Sequence, residues 1–271
     1  MLNLEELERL KKIRHVVMDM DGTIYQGKHL FPTTLLFLAD LRSLGIGFTF
    51  LTNNSSRSRK EYLAHLKSFG IEVAPEQMIT STVCTVDYLR RNHPEIRKLF
   101  LLGTETFREE MTEYGFLDAA MDEEPDGVVV AYDPHMPYER FCKAAWWIDR
   151  GKTWICTHPD RKCPTDKEQI CVDCGSLAAA LSAATGRTPV VLGKPNRVMM
   201  DSILVANGVS AEETLMCGDL MYTDIQLGVN SGVATVLISP EKAEDIPGNI
   251  ATWTVPDLGV LGGWLKQANG H

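Results

Sequence analysis

The chain lacks several features that would assign it to a common class of protein. No apolar run is long enough to span a bilayer, and residues 1–12 are amphipathic and charged, without the apolar centre of a signal peptide. No internal repeat or low-complexity segment interrupts its 271 residues. These features predict a cytoplasmic protein with one large domain or two smaller ones.

Positive charge is also in deficit. The chain has 27 Lys and Arg against 36 Asp and Glu, so its formal net charge is −9. This balance argues against nucleic acid and anionic membranes as main partners. An anionic substrate would therefore need a local reversal of the field, supplied by a metal ion or by a few placed cations.

Closely spaced cysteine pairs are scarce. Most of the seven cysteines should be reduced thiols that act as small apolar residues. Cys171 and Cys174 have the spacing of half a zinc site or of a redox pair, with Cys156, His158 and Cys163 nearby. No second closely spaced pair completes a zinc site, so metal and redox roles are minor alternatives. The position of Cys174 just before a predicted helix favours a lowered thiol pKa.

The strongest positive feature is a hydrophobic run, Ile13 to Met18, that ends in Asp19-Met20-Asp21-Gly22-Thr23. The run predicts a buried strand of a parallel sheet, and ligands of such sheets lie at the carboxyl ends of the strands. Two acids this close to an apolar strand repel each other and lose hydration, which indicates a cation between them. The alternative is a strand followed by an ordinary acidic turn, since Asp-Gly is common in turns.

A second predicted strand, residues 48–51, ends in Thr52-Asn53-Asn54-Ser55-Ser56 and is followed by a basic helix. Hydroxyls, amides and the free N–H groups of a helix start all donate to phosphate oxygens. The alternative is a helix cap with a polar turn, which Ser and Asn also form.

Two further strand ends carry charged side chains. Residues 190–192 lead into Gly193-Lys194-Pro195, where Pro195 is predicted to start the next helix. Residues 214–217 lead into Gly218-Asp219, with Asp224 five positions later. Gly-Lys-Pro is not a P-loop, because that motif needs Ser or Thr after the Lys and an earlier Gly where Thr188 stands. Parallel strands that end in Asp at opposite ends of the chain can converge on one hard cation.

Strands and helices alternate along the whole chain, which predicts an α/β fold. A dinucleotide-binding dehydrogenase is excluded, because the first strand is followed by Asp-x-Asp rather than by Gly-x-Gly-x-x-Gly. Helices are predicted over residues 4–12, 33–44, 81–92, 104–114, 138–150, 177–184 and 260–267, and further strands over residues 98–102, 128–132, 153–157, 233–238 and 253–255.

Four motifs therefore stand in one order: Asp-x-Asp-Gly-Thr, strand-Thr-Asn-Asn, Gly-Lys-Pro and Gly-Asp-x-x-x-x-Asp. They resemble the haloacid dehalogenase (HAD) superfamily of phosphohydrolases over nearly the whole chain. The insert between Thr52 and Lys194 resembles the large α/β cap of the NagD-like, p-nitrophenylphosphatase-like branch, including Thr157-His158-Pro159-Asp160 and the segment 175–181. The resemblance implies a HAD core with a doubly wound, mostly parallel, Rossmann-like sheet in residues 1–78 and 187–271, and an α/β cap in residues 79–186.

The resemblance also implies roles for the acids. Asp19 would be the nucleophile that forms an aspartyl-phosphate, and Asp21 would protonate the leaving alcohol and then accept a proton from water. Mg²⁺ would be held by Asp19, by the backbone carbonyl of Asp21 and by Asp219, with Asp224 binding or supporting it. The resemblance therefore implies a phosphoric monoester hydrolase.

The remaining implied residues bind phosphate and select the substrate. Thr52, Asn53 and Asn54 would hold phosphate oxygens, and Lys194 would pair with both phosphate and Asp19. The cap loop would face the leaving group, and its candidate residues are His158, Asp160, Arg161, Lys162 and Cys163. Arg161 and Lys162 favour a small anionic or polyhydroxyl metabolite, such as a sugar phosphate or phosphoglycolate, although a solvated basic loop is an equal alternative. Pyridoxal phosphate, p-nitrophenyl phosphate and nucleotides stay open, as does the choice between monomer and homodimer.

Two other function classes and two departures complete the analysis. A phosphotransferase or phosphomutase would use the same nucleophile, but Asp21 as a base for water favours hydrolysis. A receiver-like signalling module would be a single small domain without the insert. Leu220 stands where the branch usually has Arg, and Asn196 where it usually has Ser; neither belongs to the implied catalytic set.

Overall fold

A computed structural model describes residues 2–163 and 168–270. The chain forms two compact units. The first combines the residues up to Thr52 with Leu63–Ile79 and the residues from Lys194 onward, and the second comprises Asn53–Tyr62 and Thr80–Gly193. No helix in the described part of the chain is long and apolar enough to cross a membrane.

The strands follow one another with helices between most of them. In chain order the strands are β1 (His15–Met18), β2 (Tyr25–Gln26), β3 (His29–Leu30), β4 (Gly47–Thr52), β5 (Met78–Thr80), β6 (Lys98–Leu102), β7 (Leu117–Asp118), β8 (Gly127–Val130), β9 (Thr153–Cys156), β10 (Lys162–Cys163), β11 (Cys171–Val172), β12 (Val190–Val191), β13 (Thr214–Gly218), β14 (Ala234–Ile238) and β15 (Trp253–Val255). The helices are α1 (Leu4–Lys11), α2 (Thr34–Ser43), α3 (Arg59–Ser68), α4 (Ser81–Asn92), α5 (Glu105–Glu113), α6 (Tyr138–Asp149), α7 (Cys174–Thr185), α8 (Val198–Asn207), α9 (Gln226–Ser231) and α10 (Leu258–Ala268).

The first unit is built on a six-stranded sheet with the order β15-β14-β13-β1-β4-β5. The pairings from β15 through to β4 are all parallel. Strand β1 lies inside this sheet and all four of its residues are buried, as expected for a strand covered on both faces. Its two neighbours, β13 and β4, are the strands that end in Gly218 and Thr52, so three of the four motifs meet at one edge of the sheet.

The second unit has its own five-stranded sheet with the order β12-β9-β8-β6-β7, and these pairings are parallel as well. Its core includes Phe100, Val128 and Trp154, with Trp147 buried and Trp146 partly exposed. A small antiparallel pair, β10 and β11, places Cys163 directly opposite Cys171. The α/β class with mostly parallel sheets is therefore confirmed.

Most predicted elements lie within a few residues of their observed bounds, but three details differ. Strand β12 pairs with β9, so residues 187–193 pack with the second unit, as do residues 53–62; the predicted domain limits had placed both segments in the core. Helix α7 begins at Cys174 rather than at Leu177, because the Asp173 carboxylate accepts the Cys174 N–H at 2.6 Å and caps the helix there. Helix α8 begins at Val198 rather than at Pro195.

Candidate active site

The first acid of the Asp-x-Asp motif lies at the carboxyl end of β1. Asp19 is buried, and its N–H donates to the carbonyl of Cys217 at 2.9 Å, which continues the pairing with β13. Asp21 is exposed, and its Oδ1 lies 3.4 Å from the Gly27 N–H. The strand end thus holds one carboxylate inside the unit and presents the other to solvent.

Gly22 allows the two strand ends to approach each other. Its φ of +93° is one that L side chains rarely adopt, and a Cβ at this position would lie 2.3 Å from Oδ2 of Asp219. The Thr23 hydroxyl points to Oδ1 of the same carboxylate at 3.4 Å. The Gly-Thr pair of the motif therefore shapes the surroundings of Asp219.

The acids after β13 are held by their own turn. Asp224 is fully buried, and its Oδ2 accepts the Leu220 N–H at 3.1 Å. Gly218 makes room for it, since a Cβ there would lie 2.2 Å from the Cβ of Asp224. The five-residue π-helical turn Met221–Ile225 carries Asp224 back against the strand end, which explains the five-residue spacing of the two acids.

Lys194 is the cation of this cluster. Its side chain is 5% exposed, and Nζ contacts the Asp19 carboxylate and, at 2.6 Å, Oδ1 of Asp224. Burial lowers the pKa of Lys194, but the two carboxylates outweigh it and hold the pKa above its usual range, so the lysine stays charged. It fixes both carboxylates and balances part of their charge.

The carboxylates outnumber the cation. Burial raises the pKa of Asp19 well above its usual range, with repulsion from Asp224 and Asp219 added and Lys194 opposing. Burial and then Asp224 raise the pKa of Asp219 to about 6. Oxygen atoms of Asp19, Asp219 and Asp224 all lie within 4.8 Å of one another. Three hard oxygen donors with unbalanced charge fit a divalent cation such as Mg²⁺.

Thr52 is the last residue of β4 and is buried at the same sheet edge as Asp19, because β4 pairs with β1 in register Met18 to Phe50. The next residue, Asn53, belongs to the second unit. Its Nδ2 donates to Oδ2 of Asp160 at 3.0 Å, and its carbonyl accepts the Ser81 hydroxyl at 2.7 Å. Asn53 is thus oriented by two elements that follow it in the chain.

The Asn54 side chain takes part in a turn of the chain that follows it. Its Oδ1 accepts both the N–H and the hydroxyl of Ser56 at 2.7 Å, which is the pattern of a local turn. The Ser55 hydroxyl is buried and accepts the Tyr132 N–H at 3.1 Å. Part of the polar run after Thr52 therefore holds the backbone of the second unit.

The predicted substrate loop divides into a buried part and an exposed part. His158 is 1% exposed, with Nδ1 3.0 Å from the Thr157 hydroxyl and Nε2 3.0 Å from the Asp173 carboxylate. Arg161 and Lys162 are exposed, and Cys163 is half-buried. Only the exposed pair is free of the constraints of a packed interior.

The charge on His158 is set by its neighbours. Burial lowers its pKa, but Cys174, Asp173 and Asp160 together raise it to about 9, so the ring is an imidazolium at neutral pH. Nitrogen and oxygen atoms of His158, Asp160 and Asp173 lie within 4.8 Å of one another. Both ring nitrogens of His158 already have hydrogen-bond partners, Thr157 and Asp173, so we assign this group as a hydrogen-bonded ion-pair network.

Known proteins resemble this chain in sequence over most of its length. Residues 16–117 match the family model described as haloacid dehalogenase-like hydrolase, and residues 191–259 match a HAD-hydrolase-like model. The 5'-nucleotidase YutF of Bacillus subtilis is 32% identical over 84% of this chain and 88% of its own. An acid sugar phosphatase of Staphylococcus aureus is 30% identical over 84% of this chain and 86% of its own.

Solved structures also superpose closely on this chain. The 4-nitrophenylphosphatase of Thermotoga maritima superposes with a TM-score of 0.87 at 36% identity, covering 94% of this chain and 98% of that one. NagD of Escherichia coli K-12 superposes with a TM-score of 0.81 at 27% identity, covering 91% and 97%. The chain belongs to the haloacid dehalogenase-like hydrolase family, in its NagD-like phosphatase branch. The resemblance inferred from four motifs is confirmed.

In this HAD hydrolase, sequence motifs identify the clustered charged residues but do not identify every residue that supports them. The structure brings Asp19, Lys194, Asp219 and Asp224 together in one unit, although they come from three separate segments. Asp173 is not among the residues that the motifs identify, but it caps α7 and pairs with His158. An Asp directly before a helical segment is an N-cap signal that would have indicated it.

Proposed function

We propose that this chain is a Mg²⁺-dependent phosphatase that hydrolyses small phosphate monoesters through an aspartyl-phosphate on Asp19. The observation that carries the proposal is the contact of Lys194 with both Asp19 and Asp224 at the end of a buried parallel strand. A lysine placed there holds the carboxylate in position and offers positive charge to an incoming phosphate.

In the first half-reaction, an Asp19 carboxylate oxygen attacks phosphorus, and the bond from phosphorus to the leaving oxygen breaks. Asp21 gives a proton to that oxygen, which leaves as an alcohol. The exposed position of Asp21 supports a role at the solvent side of the reaction. Lys194 offsets the negative charge that accumulates on the phosphoryl oxygens.

In the second half-reaction, water attacks the phosphorus of the aspartyl-phosphate. Asp21 accepts a proton from this water, and the bond between phosphorus and the Asp19 oxygen breaks. Free phosphate is released and both carboxylates return to their starting states. A carboxylate that gives a proton in one step and takes one in the next must stay accessible, as Asp21 is.

Asp19, Asp219 and Asp224 would hold the metal ion, together with the backbone carbonyl of Asp21. When bound, Mg²⁺ neutralises charge on the transferring phosphoryl group and on the crowded carboxylates. Its binding would relieve the repulsion that raises the pKa of Asp19 and of Asp219.

Thr52 and Asn53 would donate to phosphate oxygens through a hydroxyl and an amide. Thr52 is supported in this role by its place at the end of β4, the strand beside β1. Asn53 is supported by its bond to Asp160, which accepts from one amide hydrogen and fixes the direction of the other. Asn54 would contribute through its backbone, since its side chain is engaged in the local turn.

The substrate would be a small phosphorylated metabolite of the sugar phosphate, phosphoglycolate or p-nitrophenyl phosphate type. Two relatives bear the names 5'-nucleotidase and acid sugar phosphatase, so related chains differ in the leaving group. Arg161 and Lys162 are exposed and cationic, and we propose that they favour anionic or polyhydroxyl leaving groups. Arg161→Ala and Lys162→Ala should therefore change the ranking of substrates more than the rate with p-nitrophenyl phosphate, whereas equal losses on every substrate would contradict this assignment.

Phosphate release across a panel of monoesters, with and without Mg²⁺, tests the proposal, with Asp19→Asn as the blank. Metal-dependent release that disappears in the blank is the expected result, and the ranking of the panel names the substrate class. Loss of ester without free phosphate, with a new phosphate ester formed on an added alcohol, would instead identify a phosphotransferase. No turnover of any panel member would contradict hydrolysis of these monoesters.

A further inference from the structure

Two buried cysteines in the second unit face each other. Cys156 is the last residue of β9, and Cys174 is the first residue of α7. Their sulfur atoms are 3.4 Å apart, and the side chains are 1% and 0% exposed. The phosphatase reaction proposed above uses neither of them.

The surroundings of Cys174 differ from those of the other buried cysteines. Burial raises the pKa of the Cys84 thiol to about 12 and raises that of Cys217 further. Cys174 is also fully buried, yet the Cys156 thiol, the charge of His158 and the Thr157 hydroxyl together lower its pKa to about 6. Cys174 therefore has appreciable thiolate character at neutral pH, and the thiolate is the nucleophilic form of cysteine.

The contacts around this pair come from several elements. As a thiol, Cys174 donates to the Val130 carbonyl at 3.1 Å; as a thiolate, it accepts from Cys156 and from the Thr157 hydroxyl, whose oxygen is 3.5 Å away. Two charged groups lie beside Cys174. His158 faces its sulfur, and the Asp173 carboxylate accepts a hydrogen bond from its backbone N–H. One sulfur can thus act as a nucleophile while its neighbour still carries a proton.

We propose that Cys156 and Cys174 are a thiol-oxidation site that forms a reversible disulfide when the protein meets a hydroperoxide. The sulfur atoms need to approach from 3.4 Å to about 2 Å for the disulfide to form. This property goes beyond the phosphatase reaction and does not depend on it.

The oxidation proceeds in two balanced steps. The Cys174 thiolate attacks one oxygen of hydrogen peroxide, the O–O bond breaks, and Cys174 becomes a sulfenic acid while hydroxide leaves and takes up the proton that Cys174 had released. The Cys156 sulfur then attacks the sulfenic sulfur, the S–O bond breaks, and the Cys156 proton leaves with the hydroxyl as water. Two thiols and one peroxide give one disulfide and two waters.

Oxidation would change the loop between the two cysteines. It removes the negative charge that Cys174 places beside His158, and it removes the single Cys156 proton, which is donated either to the Cys174 sulfur or to the His158 carbonyl at 3.0 Å. Asp173 and Asp160 remain as the carboxylates that support the imidazolium. The disulfide would link the end of β9 directly to the start of α7, the two elements between which Asp160, the partner of Asn53, lies.

Intact-mass measurement of the full chain during titration with hydrogen peroxide tests the proposal without reference to activity. We expect a loss of about 2 Da that dithiothreitol reverses, and a Cys156–Cys174 cross-linked peptide after the remaining thiols are alkylated. A cross-link confined to Cys163 and Cys171, the opposed pair on β10 and β11, would overturn the assignment. So would oxidation of the exposed Cys142 with no cross-link at all.

Variants separate the chemistry from the packing. Cys156→Ser leaves Cys174 without its partner, so its sulfenic acid should persist and react with dimedone, whereas Cys142→Ser should behave like the parent chain. The double variant Cys163→Ser, Cys171→Ser leaves the buried pair intact and must still lose about 2 Da. Failure of that variant to form the cross-link, with folding verified by circular dichroism, would overturn the proposal even if Cys156→Ser fails to fold.

Discussion

Each of the two units places a cluster of buried charges after the carboxyl ends of its parallel strands, and the two clusters satisfy those charges differently. In the second unit each anion has close donors: Asp160 accepts from Asn53, Asp173 accepts from His158 and from the Cys174 N–H, and the Cys174 sulfur faces Cys156. In the first unit Lys194 serves Asp19 and Asp224, while Asp219 has only the distant Thr23 hydroxyl among its side-chain contacts in the described chain.

The two clusters differ in how many of their carboxylate oxygens have a close protein donor. Buried polar atoms need partners, and an anion without a protein donor is stabilised by a bound cation. The raised pKa values of Asp19 and Asp219 express the same deficit, because each carboxylate would gain from a proton if no metal ion were bound. The first cluster is therefore suited to a metal ion and a phosphate, and the second to holding a loop.

The most severe way to break the first cluster is to remove its nucleophile while keeping its shape. Asp19→Asn should lower kcat for phosphate release by at least about a thousandfold, since no other oxygen can form the covalent intermediate. Thermal unfolding should change little, because Asn is isosteric and Lys194 keeps Asp224 as its partner. Turnover near that of the parent chain would refute the role of Asp19.

Removal of the shared cation tests whether the first cluster carries excess negative charge. Lys194→Met leaves Asp19 and Asp224 buried without their ammonium, and a broken buried pair costs about 3 kcal/mol or more of unfolding free energy. Mg²⁺ should restore part of this loss, because a divalent cation can replace the missing charge. The comparison is urea unfolding in EDTA and in Mg²⁺.

A surface pair in the second unit provides the matched control. Lys152→Met removes the partner of the exposed Glu124, and solvent-exposed pairs of this kind contribute little to stability. The loss of unfolding free energy in Lys152→Met should be small and independent of Mg²⁺. If Lys194→Met is equally mild and equally indifferent to Mg²⁺, the idea of an open, charge-rich cluster is wrong.

The two clusters also differ in how much of them the sequence could predict. Asp19, Thr52, Lys194 and Asp219 each follow a short apolar run, so strand periodicity and one rule about strand ends were enough to group them. These signals are local, and the pairing of parallel strands brings the strand ends together at one edge of the sheet. The parallel α/β class followed from the same alternation of strands and helices.

The second cluster depends on contacts that no local pattern contains. Asn53 and Asp160 are 107 positions apart, and β12 could join either sheet until its pairing with β9 was known. His158 was predicted as a substrate contact from its loop, whereas the structure places it inside a packed ion pair with Asp173. Burial of a polar side chain is decided by what packs over it, and that information is long-range.

Substitutions of Asp160 test whether its hydrogen bond orients the Asn53 amide for the proposed binding of phosphate. Asp160→Ala should raise KM or lower kcat by about tenfold, because a misdirected amide loses a hydrogen bond to phosphate. Asp160→Asn retains an acceptor oxygen and should retain most of the activity. Equal kinetics for the two variants, with equal unfolding free energies, would mean that Asp160 does not position Asn53.

Glu110 lies outside both clusters and sharpens the comparison by showing what burial alone does to a carboxylate. Burial raises its pKa, although its Oε1 accepts the Arg59 N–H at 2.8 Å. A carboxyl whose folded pKa is raised contributes stability that is present below its unfolded pKa of about 4.3 and lost as pH rises through the folded pKa.

Glu110→Gln keeps the acceptor oxygen and removes the buried charge, so it should raise the unfolding free energy by about 1 kcal/mol at pH 7. The gain should vanish below pH ~4, where the parent carboxyl is neutral in both states. Urea unfolding across this range, with the exposed Glu109→Gln as a variant that should change at neither pH, decides the matter. Destabilisation by Glu110→Gln at pH 7 would mean that the charged bond to Arg59 outweighs the cost of burial.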